Sequence, residues 1–227
     1  SIPVLYGDNH LLVVVKPPNL PSQADSSGDA DLLGILKGYI GKKYQKPGNV
    51  YLGLVHRLDR PVGGVMVYAR SRMADSILSR QVQAHTFEKD YLAVLKGIPD
   101  APEGVLADLL TRDAAKKQTF VTHTPGPDAR PARLSYRVLG VKDGRALVRI
   151  RLETGRTHQI RAQFSSRGLP LCGDRKYGAQ AAPGGIALYA WRLRVPHPDG
   201  RSLTFCLPEE LLPDELRELP VFPAEPL

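Results

Sequence analysis

The run Leu11-Leu12-Val13-Val14-Val15-Lys16 is apolar and largely β-branched until its last residue and stops at Pro17-Pro18, which predicts a buried strand entering a rigid turn. Between Asp31 and Ile40, Leu32, Leu33, Leu36 and Ile40 recur at helical spacing, with Asp29 or Asp31 available as a cap. A polar, basic loop follows. Next come a strand-like segment at 51–55, a strand at 64–69 and a helix at 74–82 with Ile77, Leu78 and Val82 on its apolar side. From Lys89 the period changes to two, with Tyr91, Ala93 and Leu95 alternating against Leu92, Val94 and Lys96. Further strands are predicted at 105–110, 119–123, 134–141 and 146–152, and their close succession favours antiparallel pairing. Residues 157–165 read as a helix with Thr157 as N-cap and Ile160 and Phe164 meeting one turn apart. Strand character returns at 186–195 and 202–207, and a short helix at 209–219 precedes a proline-rich tail. The outline is α+β, dominated by a mostly antiparallel sheet with a few helices.

Composition narrows the partners more than the fold. At 227 residues and 42% hydrophobic content the chain can bury a sizeable core, and one packed catalytic domain over 1–227 is expected, without a separate N-terminal domain. Its formal net charge of +8 raises the local concentration of a polyanion, which makes nucleic acid the first partner to consider; solubility alone is the plain alternative. Cys172 and Cys206 stand far apart with no regular Cys/His spacing, so small core residues in a reducing compartment are expected, not a disulfide framework or a zinc site. The apolar run at 11–15 is too short for a signal-peptide core or a membrane span, so a cytoplasmic protein with no membrane partner is expected, and a monomer is the simplest assembly. The scattered His10, His85, His123 and His197 read as surface or structural side chains.

Two blocks carry candidate chemistry. His56-Arg57-Leu58-Asp59-Arg60-Pro61-Val62-Gly63-Gly64 places one carboxylate between arginines on a loop joining apolar strands, the kind of position a rigid scaffold gives to reactive groups. A surface ion pair would explain the same string. Thr154-Gly155-Arg156-Thr157-His158-Gln159-Ile160-Arg161 places N–H groups at a predicted helix start beside cationic side chains, a natural place for a phosphate. An ordinary capped helix accounts for Gly155 and Thr157 but not for two arginines and a histidine in so short a stretch. Arg161 could pair with Asp59 if the fold brings them together, keeping the carboxylate ionised.

These blocks, with Lys16-Pro17-Pro18-Asn19-Leu20-Pro21, Lys89-Asp90-Tyr91 and Gly168-Leu169-Pro170-Leu171-Cys172-Gly173-Asp174-Arg175-Lys176-Tyr177-Gly178, occur in an order and spacing that resembles the RluA family of RNA pseudouridine synthases over almost the whole chain. The resemblance implies a mixed, mainly antiparallel central sheet flanked by helices and loops, an RNA-binding catalytic cleft, and isomerisation of uridine to pseudouridine in structured RNA, ribosomal or transfer. It implies that Asp59 is the essential aspartate, Tyr91 the active-site tyrosine against the target base, and Arg161 the arginine paired with the aspartate. Arg57 matches the arginine that helps hold the RNA. Pro61-Val62-Gly63-Gly64 departs from the Thr-Ser-Gly-like triplet usual there, removing two hydroxyls from the loop.

Such an isomerisation detaches a uracil from its sugar at N1 and rejoins it at C5, with no redox change and no atom added, so no cofactor and no metal are implied. It needs a carboxylate beside the glycosidic bond, a dry pocket and an extruded nucleotide. Arg60, Arg156, His158, Lys42, Lys43, Lys46, Lys116, Lys117, Arg175 and Lys176 are candidate RNA contacts, each also explicable as a solvated surface charge. Two competing functions remain. A metal-dependent nuclease would need several carboxylates converging on magnesium, and no such cluster accompanies Asp59 in the sequence. A catalytically inactive RNA-binding or RNA-folding protein on the same scaffold would not need Asp59, Tyr91 and Arg161 together.

Overall fold

Burial of the Leu11–Lys16 run on both faces makes it a central strand, and a computed structural model, which describes residues 1–217, places it as the second strand of the chain. Two compact units are formed. The first comprises Ser1–Phe87 with Ala190–Leu207, the second Glu88–Tyr189 with the segment from Pro208.

In the first unit β1 (Val4–Gly7) and β2 (Leu11–Lys16) form an antiparallel hairpin, and β2 pairs in turn with β4 (Gly63–Ala69), in register from Leu11 opposite Ala69 to Lys16 opposite Gly64. The expected strand at 51–55 shrinks to β3 (Gly53–Leu54), paired with the end of β4. Two helices follow the predicted pattern. α1 (Leu32–Lys43) buries Leu32, Leu36 and Ile40, one per turn, each contributing about 2 kcal/mol by removal of apolar area from water. Asp31 is its cap, accepting from the Gly34 N–H at 3.1 Å, and Lys42 and Lys43 oppose the negative end of the helix dipole. α2 (Arg72–Gln83) is capped by Ser71 and buries Ala74 and Leu78.

The second unit is a run of antiparallel strands whose neighbours follow the order β5 (Glu88–Lys96), β9 (Arg145–Leu152), β8 (Arg130–Lys142), β6 (Glu103–Asp113), β7 (Gln118–Thr122). The strands read from Lys89 onward thus form two antiparallel hairpins, β6–β7 and β8–β9, joined through the β6–β8 pairing, with β5 added beside β9. After β9 the chain enters α3 (Gln159–Ser165) and then a single 3-10 turn at Arg175–Tyr177. The strand β10 (Leu188–Pro196) and its antiparallel partner β11 (Ser202–Cys206) supply the last strands, with most of β10 and all of β11 in the first unit. The whole is α+β and mainly antiparallel.

Two predicted helices differ. The one expected from Thr157 begins at Gln159, because His158 occupies the left-handed region at φ 55° and makes no side-chain cap. The one expected at 209–219 is broken into a 3-10 turn at Glu209–Leu211 and the short α4 (Asp214–Arg217). Pro213 explains the break, since proline pushes the residue before it out of helical geometry, and Leu212 is extended. Its last two residues and the proline-rich tail lie outside the described residues. Cys172 and Cys206 are each only partly buried and so not full core residues, and burial pushes the Cys172 thiol up. Among the described residues no helix is long and apolar enough to cross a membrane.

Candidate functional site

Asp59 lies in the first unit on the loop between β3 and β4, and its surroundings are built from backbone polar groups that would otherwise be orphaned. Leu58 is buried, and both of its backbone groups are taken by one side chain: Ser22 Oγ donates to its carbonyl at 3.0 Å and accepts from its N–H at 3.2 Å. The Ser22 carbonyl in turn accepts from Tyr68 Oη on β4 at 2.9 Å. On the other side of the carboxylate, the Asp59 carbonyl accepts from the Val62 N–H at 2.9 Å, closing a turn over Pro61. The residues that replace the hydroxyl-bearing triplet therefore fold the loop by a backbone bond. Gly64 completes it at φ +134°, and a Cβ there would collide with the backbone of Ala190 on β10.

Lys16 ends β2 with its ammonium wholly enclosed; the sequence marked it as the last residue of a strand and the first of the Lys16–Pro21 block, without a role of its own. Its Nζ donates to the carbonyls of Leu20 at 2.7 Å, Arg60 at 2.9 Å and Pro17 at 3.1 Å. Burial pulls its pKa down to about 8, against an attraction to the Asp59 carboxylate that favours the charged form. His56 is a brace: its Nε2 accepts from the Val67 N–H at 3.0 Å, and its ring meets Phe87 edge-on. Arg60 points outward, paired with Asp29 at 2.6 Å and with Asp25, while Arg57 is exposed.

Tyr91 and Arg161 belong to the second unit. Tyr91 is buried on β5 opposite Ile150 of β9. Its neighbour Asp90 is fully buried; burial alone would raise its pKa, but Arg151 at 2.7 Å and Arg149 at 2.9 Å outweigh that and hold it below the usual carboxylate range. These bonds tie β5 to β9 on either side of the Tyr91 register position.

Arg161 is buried within α3. Asp174 takes its Nε at 2.8 Å and its Nη2 at 3.0 Å, and the Tyr177 ring covers the guanidinium with its centroid 4.8 Å away. Tyr177 Oη in turn accepts from the Thr119 N–H at 2.8 Å and lies 2.7 Å from His158 Nδ1. Burial, reinforced by the charges of Arg161, Arg112 and Lys176, lowers His158 to about 3, so at neutral pH it is a neutral imidazole. The N–H groups expected to cradle a phosphate are partly used internally, since Gln159 Oε1 accepts from the Arg156 N–H at 3.0 Å. Arg156 Nε donates to the Pro131 carbonyl at 2.9 Å.

Four of the basic candidates come together across a sequence gap of about sixty residues. Lys116 and Lys117 form the turn between β6 and β7, where Lys176 Nζ donates to the Lys117 carbonyl at 3.1 Å and Gln118 Nε2 to the Lys176 carbonyl at 2.9 Å. Arg175 is exposed beside Lys176. Lys42 and Lys43 belong to the first unit, at the end of α1, where Lys43 lies over the Tyr39 and Tyr44 rings.

Comparison with known proteins identifies the family of the chain. Residues 10–166 match the family model described as RNA pseudouridylate synthase. An uncharacterized RNA pseudouridine synthase of Bacillus subtilis, YhcT, is 32% identical over 200 residues, covering 87% of this chain and 65% of the relative. Ribosomal large subunit pseudouridine synthase D of Nitrosomonas europaea is 34% identical over 235 residues, covering 95% of this chain and 63% of that protein. The chain thus spans a little under two thirds of the length of these two relatives. The human RNA pseudouridylate synthase domain containing 4 shares the fold, with a TM-score of 0.76 at 23% identity over 92% of this chain and 89% of that one. On its sequence match, the chain belongs to the RNA pseudouridylate synthase family, in the RluA group that its motifs resemble.

Proposed function

We propose that the chain is an RNA pseudouridine synthase that isomerises specific uridines in ribosomal RNA of the large subunit or in transfer RNA. The observation that carries this reading is the Asp59 loop, in which one carboxylate is flanked by backbone groups fixed from both sides and attracted by the enclosed Lys16 ammonium. Family membership supports the reaction class, and the large-subunit enzymes among the relatives favour ribosomal RNA as the substrate.

In this reading Asp59 is the essential carboxylate, Tyr91 presents its ring to the flipped base and Arg161 supplies the compensating guanidinium. A rigid loop matters because a reacting carboxylate must meet the glycosidic carbon or the base within a few tenths of an ångström, and positioning of that quality is worth several orders of magnitude in rate. Arg57 fills the space the base leaves, lowering the few kcal/mol that extrusion costs. Lys116, Lys117, Arg175 and Lys176 bind the phosphate backbone, with Lys42, Lys43, Arg60 and Arg156 as outlying contacts. The working unit is a monomer in the cytoplasm.

The test is incubation with separate large-subunit ribosomal and transfer RNA transcripts, followed by mapping of pseudouridine at single-nucleotide resolution. Modification by the wild-type chain that disappears in Asp59→Asn, with RNA affinity retained, is expected. RNA binding without pseudouridine in any transcript would instead identify the inactive RNA-binding or RNA-folding alternative.

A further inference from the structure

The guanidinium of Arg161 is held by groups for which the reaction as outlined has no use. Asp174 grips it side-on, through Nε and Nη2 at 2.8 and 3.0 Å, and both partners are almost wholly enclosed, 5% and 1% exposed. A planar guanidinium held along that edge has its other edge, Nη1 with the second N–H of Nη2, directed away from Asp174. The Tyr177 ring, three residues beyond Asp174, covers a face at 4.8 Å and is itself anchored by the Thr119 N–H. Rotation about the last side-chain torsions of Arg161 is thereby blocked on two sides.

The segment that carries both groups is shaped for the task. Gly173 stands at φ +79°, where a Cβ would collide with the Gly185 carbonyl, and Gly178 at φ +109° ends the 3-10 turn. The Asp174 carbonyl accepts from the Tyr177 N–H at 3.2 Å and from the Ala179 N–H at 3.0 Å. Ser165 Oγ of α3 donates to the Tyr177 carbonyl, joining the turn to the helix that bears Arg161. A buried ion pair built only for stability would gain little, because desolvating both charges offsets most of their attraction.

We propose that Asp174 is a positioning residue for the reaction: it holds the Arg161 guanidinium in one orientation, leaving the edge away from Asp174 fixed for use in the chemical step, with Tyr177 limiting the guanidinium's tilt. The proposal rests on the reading of Arg161 as the compensating guanidinium. It predicts that loosening the grip slows the chemical step without loosening the RNA.

Single-turnover kinetics on the RNA modified by the wild-type chain separate these effects. Asp174→Asn, which keeps the shape and removes the charge, is expected to lower the maximal rate about 10–100-fold while the RNA concentration at half-maximal rate changes less than about threefold. Asp174→Glu should recover part of that rate, and Asp174→Asn combined with Arg161→Lys should lose little more than Arg161→Lys alone. Wild-type rates in Asp174→Asn, or losses that multiply in the double variant, overturn the proposal. So does loss of the cooperative melt in both Asp174→Asn and Asp174→Glu, which would make the pair purely structural. If the wild-type chain forms no pseudouridine in any RNA, the broader reading has failed; if Asp59→Asn alone is inactive, only the role given to Asp174 has.

Discussion

The Lys16 ammonium donates to the Arg60 carbonyl at 2.9 Å, so the residue after Asp59 is bonded to the end of a strand 44 positions earlier. With the bonds to Pro17 and Leu20, the same nitrogen joins the proline turn to the carboxylate loop.

Replacing this nitrogen should therefore harm both stability and turnover. Lys16→Met fills the same space but leaves the Pro17 and Leu20 carbonyls without this donor, while the Arg60 carbonyl keeps the Asn19 N–H at 2.7 Å, and a loss of about 3 kcal/mol in denaturant unfolding is expected. Turnover should fall as the Asp59 loop loosens. Unchanged stability would show that the carbonyls find other partners.

Tyr91 offers a separation of ring from hydroxyl. If its ring lies against the target base, Tyr91→Phe should retain most of the rate and Tyr91→Ala should lose at least about tenfold, as one stacked base is worth about 1–3 kcal/mol. Equal losses in single-turnover assays would point to the hydroxyl. Because Tyr91 is buried on β5, melting curves must accompany the alanine variant.

His158 makes acid sensitivity predictable in sign. Its folded pKa of about 3 lies below the ordinary 6.5, so between those values the unfolded chain binds the extra proton and stability falls as the pH drops through that window. Above pH 6.5 the effect is absent. His158→Asn tolerates the left-handed backbone and carries no titrating group, and its melting temperature should fall less than that of the wild type between pH 6.5 and pH 4. Parallel curves by calorimetry would contradict this.

The basic turn predicts a salt signature. If Lys116 and Arg175 each neutralise one phosphate, Lys116→Ala with Arg175→Ala should flatten the plot of log affinity against log salt by about 1.5, as each contact contributes about 0.7–0.9. Filter binding between low and moderate salt measures it. An unchanged slope would return both residues to the solvated surface.

How far the residues disclosed themselves depends on whether their reasons were local. Leu11–Lys16 and the Asp31 cap were legible because periodicity and a preceding acidic residue act within one element. The helix start at Gln159 was not, since what displaces it is the left-handed turn at His158, whose ring is fixed by Tyr177 nineteen residues on. Asp59 and Tyr91 stood out through motif resemblance, whereas the cation beside Asp59 looked like a strand terminus. Arg161 was singled out, yet its grip by Asp174 depends on the return of the chain through Gly173 and could not be inferred from spacing. The meeting of Lys116 and Lys117 with Lys176 likewise exists only after β6 and β7 have paired.

Gly64 gives the carboxylate loop an asymmetric tolerance to change. Its far end abuts Ala190 so tightly that even a methyl group would wedge two strands apart, so mutational drift there is closed off. Variation among descendants of this chain must instead accumulate at Arg57, Arg60 and Pro61, which the fold leaves facing outward or partly so. An engineer seeking altered substrate preference would therefore randomise Arg57, Arg60 and Pro61 while keeping Leu58, Asp59 and Gly64.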